Sequence, residues 1–355
     1  MFKRILDFFP PPRFLQMAPV GFSISDTAVR FVDLRSGHKS LKLKAYAEKE
    51  IPPGIVSGGY VHNVEELTKI VRSFREEWGI QFVRAALPEE KAYLFKTEVS
   101  LTEGSSLRDA VEFKIEENVP LSVATAVFDY SVINKRKEKN AGHADVIVSV
   151  LPIKVVSTYI EVLEGAGLIP ISFQVESQAI ARSVIKKGDK STYLVVNLGT
   201  EKTGLYVVSD ETVHFASSFV FSEGSVKKGI ESSDSFTLKV SKTTDASCDE
   251  IWMTEVASEI SKLFSYWHTH EDKEGELGKQ ISKVFICGDH PNIQSCLGPV
   301  SNSVSVPVAI ANVWTNAFSF DDFVPDMPRV HSKESKDSSL KYAAAIGLAL
   351  PEYYV

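Results

Sequence analysis

The chain has 355 residues, enough for two domains or for one large fold with inserted subdomains. It is 44% hydrophobic and 24% charged with a net charge of -7, and strand-like and helix-like stretches alternate, which excludes disorder and repeat arrays and favours α/β or α+β. No basic stripe is present, so a nucleic-acid role is set aside. The three cysteines, Cys248, Cys287 and Cys296, have no CxxC spacing, which argues for a reducing compartment and against structural zinc.

The opening "MFKRILDFFPPP" carries Phe2, Ile5, Leu6, Phe8 and Phe9 beside a basic pair. It is too short and too charged for a signal peptide. Two readings stand: an arm (residues 1–18) packed on its own domain, or a weak contact with a membrane surface or a partner. "PVGFSISDTAVRFVDL" alternates around Ser25-Asp26 as a β-hairpin does, and "LKLKAYAEKEI" adds a third antiparallel strand. Asn63, Glu66 and Gly79 then bracket a helix with a capping box, whose stripe of Val64, Leu67, Ile70, Val71, Phe74 and Trp78 is core.

From residue 82 to 179 the pattern changes: strand "FVRAALP", strand "LFKTEVS", a helix at 106–117, strands "AVFDYSVI" and "ADVIVSVLP", then an amphipathic helix "KVVSTYIEVLEGAGL". This reads as an inserted α+β module, with the run 135–139 as a solvated loop. A helix over 175–185 leads into "VVNLGTEKTGLYVV", two apolar β-branched runs around a tight polar turn. Residues 222–250 read as an irregular polar connection, followed by a helix over 251–270 with Val256, Ile260, Leu263, Phe264 and Trp267 on one face. His268 and His270 on that helix are two apart, so they point in opposing directions and do not share a metal. "KVFICGDHPNI" is a buried strand ending at Gly288, and "SLKYAAAIGLAL" a final small-residue helix able to pack closely.

Two glycine hairpins, a strand-Gly loop and a last small-residue helix together resemble the actin-like ATPase fold. "VGFSISDTAVRFVDL", "IPPGIVSGGYVHNVEELTKIV", "AALPEEKAYLFKTEVS", "EFKIEENVPLSVATAVFDYSVI", "FQVESQAIAR" and "KYAAAIGLAL" are similar, in that order, to the PilM family of type IV pilus assembly. The resemblance implies an α/β, ribonuclease H-like fold of two halves with an inserted module of the PilM/FtsA kind. Its implied segments are 19–81 (first part of subdomain 1A), 82–179 (inserted module), 180–335 (second half) and 336–355 (a helix returning to 1A). It implies ATP and magnesium as cofactors, and cleft residues Ser23, Ser25, Asp26, Thr27, Asn197, Gly199, Thr200, Lys202, Thr203, Gly224 and Gly288. Glu176 aligns with the family glutamate near the attacking water, either as a base or as a structural hydrogen-bonding group. Also implied are a cytoplasmic location at the inner face of the membrane, a PilN-like tail bound beside the module, contacts with other assembly components, and self-association.

The departures from that pattern concern charge. Ser23 and Asn197 stand where the family carries magnesium-anchoring aspartates, Asp289-His290 follows Gly288 in place of a second glycine, and a double glycine is reduced to Gly224. Magnesium is held by one or two carboxylates with waters and phosphates, and phosphoryl transfer rests on that electrostatic positioning. The expectation is therefore a degenerate cleft on a scaffold protein. Backbone N–H groups at 25–27 and 200–203 remain able to cradle phosphate. Asp26 is either a replacement carboxylate or an Asx-type turn residue, and Lys202 either a phosphate ligand or a solvated turn lysine. An active ATPase or sugar kinase, an FtsA-like division protein and a type II secretion counterpart are the competing readings.

Overall fold

The computed structural model describes residues 19–36, 41–100, 106–135, 143–220, 248–269, 279–318 and 336–351. The arm at 1–18, Gly224, His270 and most of the polar stretch 222–250 lie outside them. Strands β1 (Val20–Ile24), β2 (Ala28–Ser36) and β3 (Leu41–Glu50) form the expected antiparallel meander. A two-residue ladder of β4 (Val56–Ser57) and β5 (Tyr60–Val61) lies in the stretch read as loop. Helix α1 (Val64–Trp78) starts where Asn63 Oδ1 accepts the Glu66 N–H at 3.0 Å and stops at left-handed Gly79. Leu67, Val71 and Phe74 are buried, and Phe31 lies edge-on to both Phe74 and Trp78 at 5.4 Å. The reciprocal capping box expected here is found one helix later, between Ser106 and Asp109.

Strand β6 (Phe82–Leu87) pairs in parallel with β1. After a 3-10 turn at Glu89–Lys91 come β7 (Tyr93–Ser100), α2 (Leu107–Asn118), β8 (Ala126–Lys135) and β9 (His143–Pro152). These strands form a separate sheet in the order β7-β9-β8, with its own core of Val99, Val111, Ile115, Val146, Val148 and Val150. Helix α3 (Ile153–Gly165), strand β10 (Ile169–Val175) and helix α4 (Glu176–Val184) follow. The boundaries 82–179 are thus too wide for the module. β6 and β10 pair with each other inside the first sheet, ordered β10-β6-β1-β2-β3, and α3 packs into that sheet's core. β10 escaped detection because Pro170 interrupts its pattern; an edge strand with a register shift at that point tolerates the proline.

The second half repeats the plan. Strands β11 (Thr192–Leu198), β12 (Lys202–Ser209) and β13 (Thr212–Val220) form a meander, and α5 (Cys248–Thr269) covers it. Then β14 (Ile281–Gly288) pairs in parallel with β11, α6 (Leu297–Ser303) follows, and β15 (Val308–Ile310) pairs in parallel with β14. The order β13-β12-β11-β14-β15 matches the first sheet strand for strand. A 3-10 stretch at Lys336–Tyr342 leads into α7 (Ala343–Ala349), shorter than the single helix expected. Its small residues allow backbone contact: a Cβ on Gly347 would lie 1.7 Å from the Ala179 carbonyl oxygen of α4. Arg84 and Arg182 donate to the Leu350 carbonyl at 2.9 and 3.2 Å, closing the helix's C-terminal end. One core joins α4 and α7 to both sheets, so the halves face each other across the β1–β2 and β11–β12 turns.

Candidate functional site

The facing turns make a cleft lined by Ser23, Ser25, Asp26, Thr27, Glu176, Asn197, Gly199, Thr200, Lys202 and Gly288, ten of the expected residues. Thr203 is not among them. It points into strand β12's packed side, fully buried, because the alternation that turns Lys202 to the cleft turns its neighbour away. Arg30, Asp289 and Lys341 line the cleft as well; Arg30 and Lys341 were not expected there, and Asp289 was noted only as standing in place of a second glycine.

The first turn satisfies itself. The Ser25 N–H donates to the Ala28 carbonyl at 2.9 Å, and Ser25 Oγ accepts the Ala28 N–H at 3.1 Å. Asp26 is not an Asx-type turn residue bonding its own turn: its carboxylate accepts the N–H groups of Gly58 (2.7 Å) and Gly59 (3.4 Å) in the β4–β5 turn. The second turn is closed by the Gly199 N–H on the Lys202 carbonyl at 2.8 Å, while the Thr200 N–H donates to Asp289 Oδ1 at 3.2 Å.

Lys202 is neither solvated nor free for phosphate. Its side chain is 15% exposed and its Nζ sits 2.7 Å from Glu90 Oε1 and 2.9 Å from Glu176 Oε2. Burial works against its charge, but Glu176 and Glu90 outweigh that and hold its pKa well above the ordinary lysine value. The same contact holds Glu90 below its usual range despite burial. Glu176 also accepts from Asn197 Nδ2 at 3.4 Å, so it sits as a hydrogen-bonding group within a network. Beside it, buried Glu89 accepts the Ser177 N–H at 3.0 Å and so caps α4, which has no side-chain cap of its own. Burial raises Glu89 to about 7 against that hydrogen bond, and the charges of Glu176 and Glu90 push the same way. Glu89 and Glu90 were missed because "PEEK" has the composition of any exposed turn.

Across the cleft, Arg30 Nη2 bonds Asp289 Oδ2 at 2.7 Å and Glu48 Oε1 at 3.2 Å, and Lys341 reaches Glu48 at 2.5 Å. Between these pairs the cleft keeps a cavity of only about 50 Å3, against ~300–1,000 Å3 for ordinary ligand pockets.

A second concavity of about 230 Å3 lies behind the cleft, between the module and α4. Asp129 and Ser131 of β8, Gln174 of β10, Gln178 and Arg182 of α4 and Glu211 of the β12–β13 turn line it. Gln178 Nε2 donates to Ser149 Oγ of the module at 3.0 Å. β8 and β10 are edge strands of their sheets, and they expose Val127, Val132, Ile169 and Ile171.

Two halves of one topology, facing across paired hairpin turns with a small module set into the first, define the actin-like ATPase fold. Within it, the chain matches the family model "type IV pilus assembly protein PilM" over residues 21–353, and it belongs to that family. Among solved structures it is similar to the "PilM-PilN type IV pilus biogenesis complex" at 18% identity, covering 95% of this chain and 98% of that one, with a TM-score of 0.71. The ethanolamine utilization protein EutJ from Carboxydothermus hydrogenoformans is similar at 14% identity, covering 96% and 90%, with a TM-score of 0.46. The cytoplasmic domain of EpsL, an inner membrane component of the type II secretion system of Vibrio cholerae, is similar at 12% identity, covering 84% and 99%, with a TM-score of 0.40. No curated protein matched in sequence. No helix among the described residues is long and apolar enough to cross a membrane.

Proposed function

We propose that this protein is a scaffold of type IV pilus assembly that holds the N-terminal tail of a PilN-like inner-membrane partner in the groove between the module and α4. Residence at the inner face of the cytoplasmic membrane, with recruitment of other assembly components, follows from that contact. The observation that carries the reading is the groove itself, flanked by residues of two edge strands with exposed β-branched side chains. An extended peptide adds backbone hydrogen bonds to such an edge and seats alternate side chains in pockets. The family match and the PilM-PilN neighbour support the same partner class.

The cleft enters this proposal as a nucleotide site that no longer works as one. Ser23 and Asn197 bring no charge for magnesium, and Glu90, Glu176 and Asp289 are already committed to Lys202 and Arg30. As arranged, these residues do not fit a magnesium nucleotide, and no phosphoryl-transfer step is assigned to them.

Titration with a synthetic N-terminal peptide of the PilN-like protein encoded in the same genome tests the reading. Ser131→Trp fills the groove and is expected to weaken binding about tenfold or more, since interface cores tolerate little overpacking. Unchanged affinity in a folded Ser131→Trp protein would move the peptide site elsewhere.

A further inference from the structure

We infer that Asp289 is the resident anion of the second hairpin, an internal carboxylate that takes the place of an external anion and fastens the two halves together. The inference rests on the reading of the cleft as unable to hold a magnesium nucleotide.

Each oxygen of Asp289 has a different partner. Oδ1 accepts the Thr200 N–H at 3.2 Å, the kind of backbone donor that a phosphate oxygen takes in such a turn. Oδ2 accepts from Arg30 Nη2 at 2.7 Å, a charge-assisted bond to the opposite half. A guanidinium plus a turn N–H is a complete receptor for one oxyanion, and Ser25 Oγ lies within 3.4 Å of the same guanidinium.

The backbone holds the carboxylate there. Gly288 has φ 125°, and a Cβ on it would lie 2.0 Å from the Leu198 carbonyl oxygen, so the chain passes Leu198 closer than a side chain permits. One residue past Asp289, the His290 N–H donates to that same Leu198 carbonyl at 3.0 Å. The turn that Asp289 caps is tight in its own right, since a Cβ on Gly199 would lie 2.7 Å from the Lys202 carbonyl oxygen. On the far side Arg30 is fixed by Glu48, which is fixed in turn by Lys341. The receptor is prebuilt on both halves, and its ligand is part of the chain.

Removing the ligand therefore opens the receptor to a small phosphate anion without any metal. The probe is inorganic pyrophosphate in chelator, titrated into wild type, Asp289→Ala, Asp289→Asn and the double variant Arg30→Gln/Asp289→Ala. Wild type is expected to bind negligibly, Asp289→Ala about tenfold more tightly or better, and Asp289→Asn in between. The double variant is expected to lose the gain. A folded Asp289→Ala or Asp289→Asn protein that gains nothing, or a wild type that binds equally well, overturns the inference. Native-state hydrogen exchange on wild type needs no variant: slow exchange of the Thr200 amide supports the resident anion, and exchange at the rate of an open loop refutes it. Magnesium-dependent ATP binding by wild type would instead overturn the underlying reading of the cleft, so the two failures are distinguishable.

Discussion

The cleft and the groove are two concave regions among the described residues, and they differ in how their polar groups are spent. In the cleft, Arg30, Glu48, Asp289, Glu90, Glu176, Lys202 and the Thr200 N–H are paired with one another and leave about 50 Å3. The groove keeps about 230 Å3 and is lined in part by the edge strands β8 and β10, which expose Val127, Val132, Ile169 and Ile171 along their length. The difference teaches that two concavities of one fold can commit their polar groups in different ways. A cleft whose charges are paired internally has little interaction left to offer, and displacing those pairs costs their full desolvation.

Lys202 gives the largest expected effect. Lys202→Met leaves Glu90 and Glu176 facing each other without their cation, at a cost of about 3–5 kcal/mol, read as a lowered urea midpoint. A cost below about 1 kcal/mol would show that the cleft is not held by its charges, and the contrast with the groove would fail.

Glu89 comes next. Its carboxyl is raised from 4.5 to about 7 by burial in the folded protein, so the folded state binds its proton more tightly than the unfolded chain does. Stability from this group is present below the unfolded value and declines as pH rises toward 7, by an amount on the order of 3 kcal/mol. Glu89→Gln keeps an acceptor for the Ser177 N–H, and is expected to flatten that decline and raise the melting temperature at pH 8. An unaltered pH profile would place the proton elsewhere in the cluster.

Gln178 tests the groove from the side of α4. Gln178→Ala removes its bond to Ser149, with an expected stability loss of only about 1 kcal/mol. Peptide affinity, measured by titration, is expected to fall severalfold while pyrophosphate binding stays negligible. The smallest effect belongs to Ser106→Ala, which removes the α2 capping box at a cost of about 1 kcal/mol. Because α2 packs on the module core of Val111, Ile115, Val146 and Val148, peptide affinity is expected to stay within twofold. A large loss would mean that the whole module, and not its groove face, carries binding.

Much of the fold was legible because it follows from local pattern. The α1 stripe, the alternation of β2 and β3, and the β-branched runs of β11 and β12 each bury one face or both, and the structure keeps them. The module's extent was misjudged because β6 and β10 find their partners by parallel pairing over many residues, which no local pattern encodes. Asp26 was misread for a related reason: Gly58, its actual partner, lies 32 residues away.

By itself the sequence determined the family order of motifs and the absence of charge at Ser23 and Asn197, since residue identity alone fixes what a position can offer a metal. Tertiary structure alone decided what became of the remaining charges. Lys202 and Glu90 are separated by more than a hundred residues, and Arg30 and Asp289 by 259. Whether such groups await a ligand or satisfy each other depends on a few ångströms between two halves, and folding sets that distance.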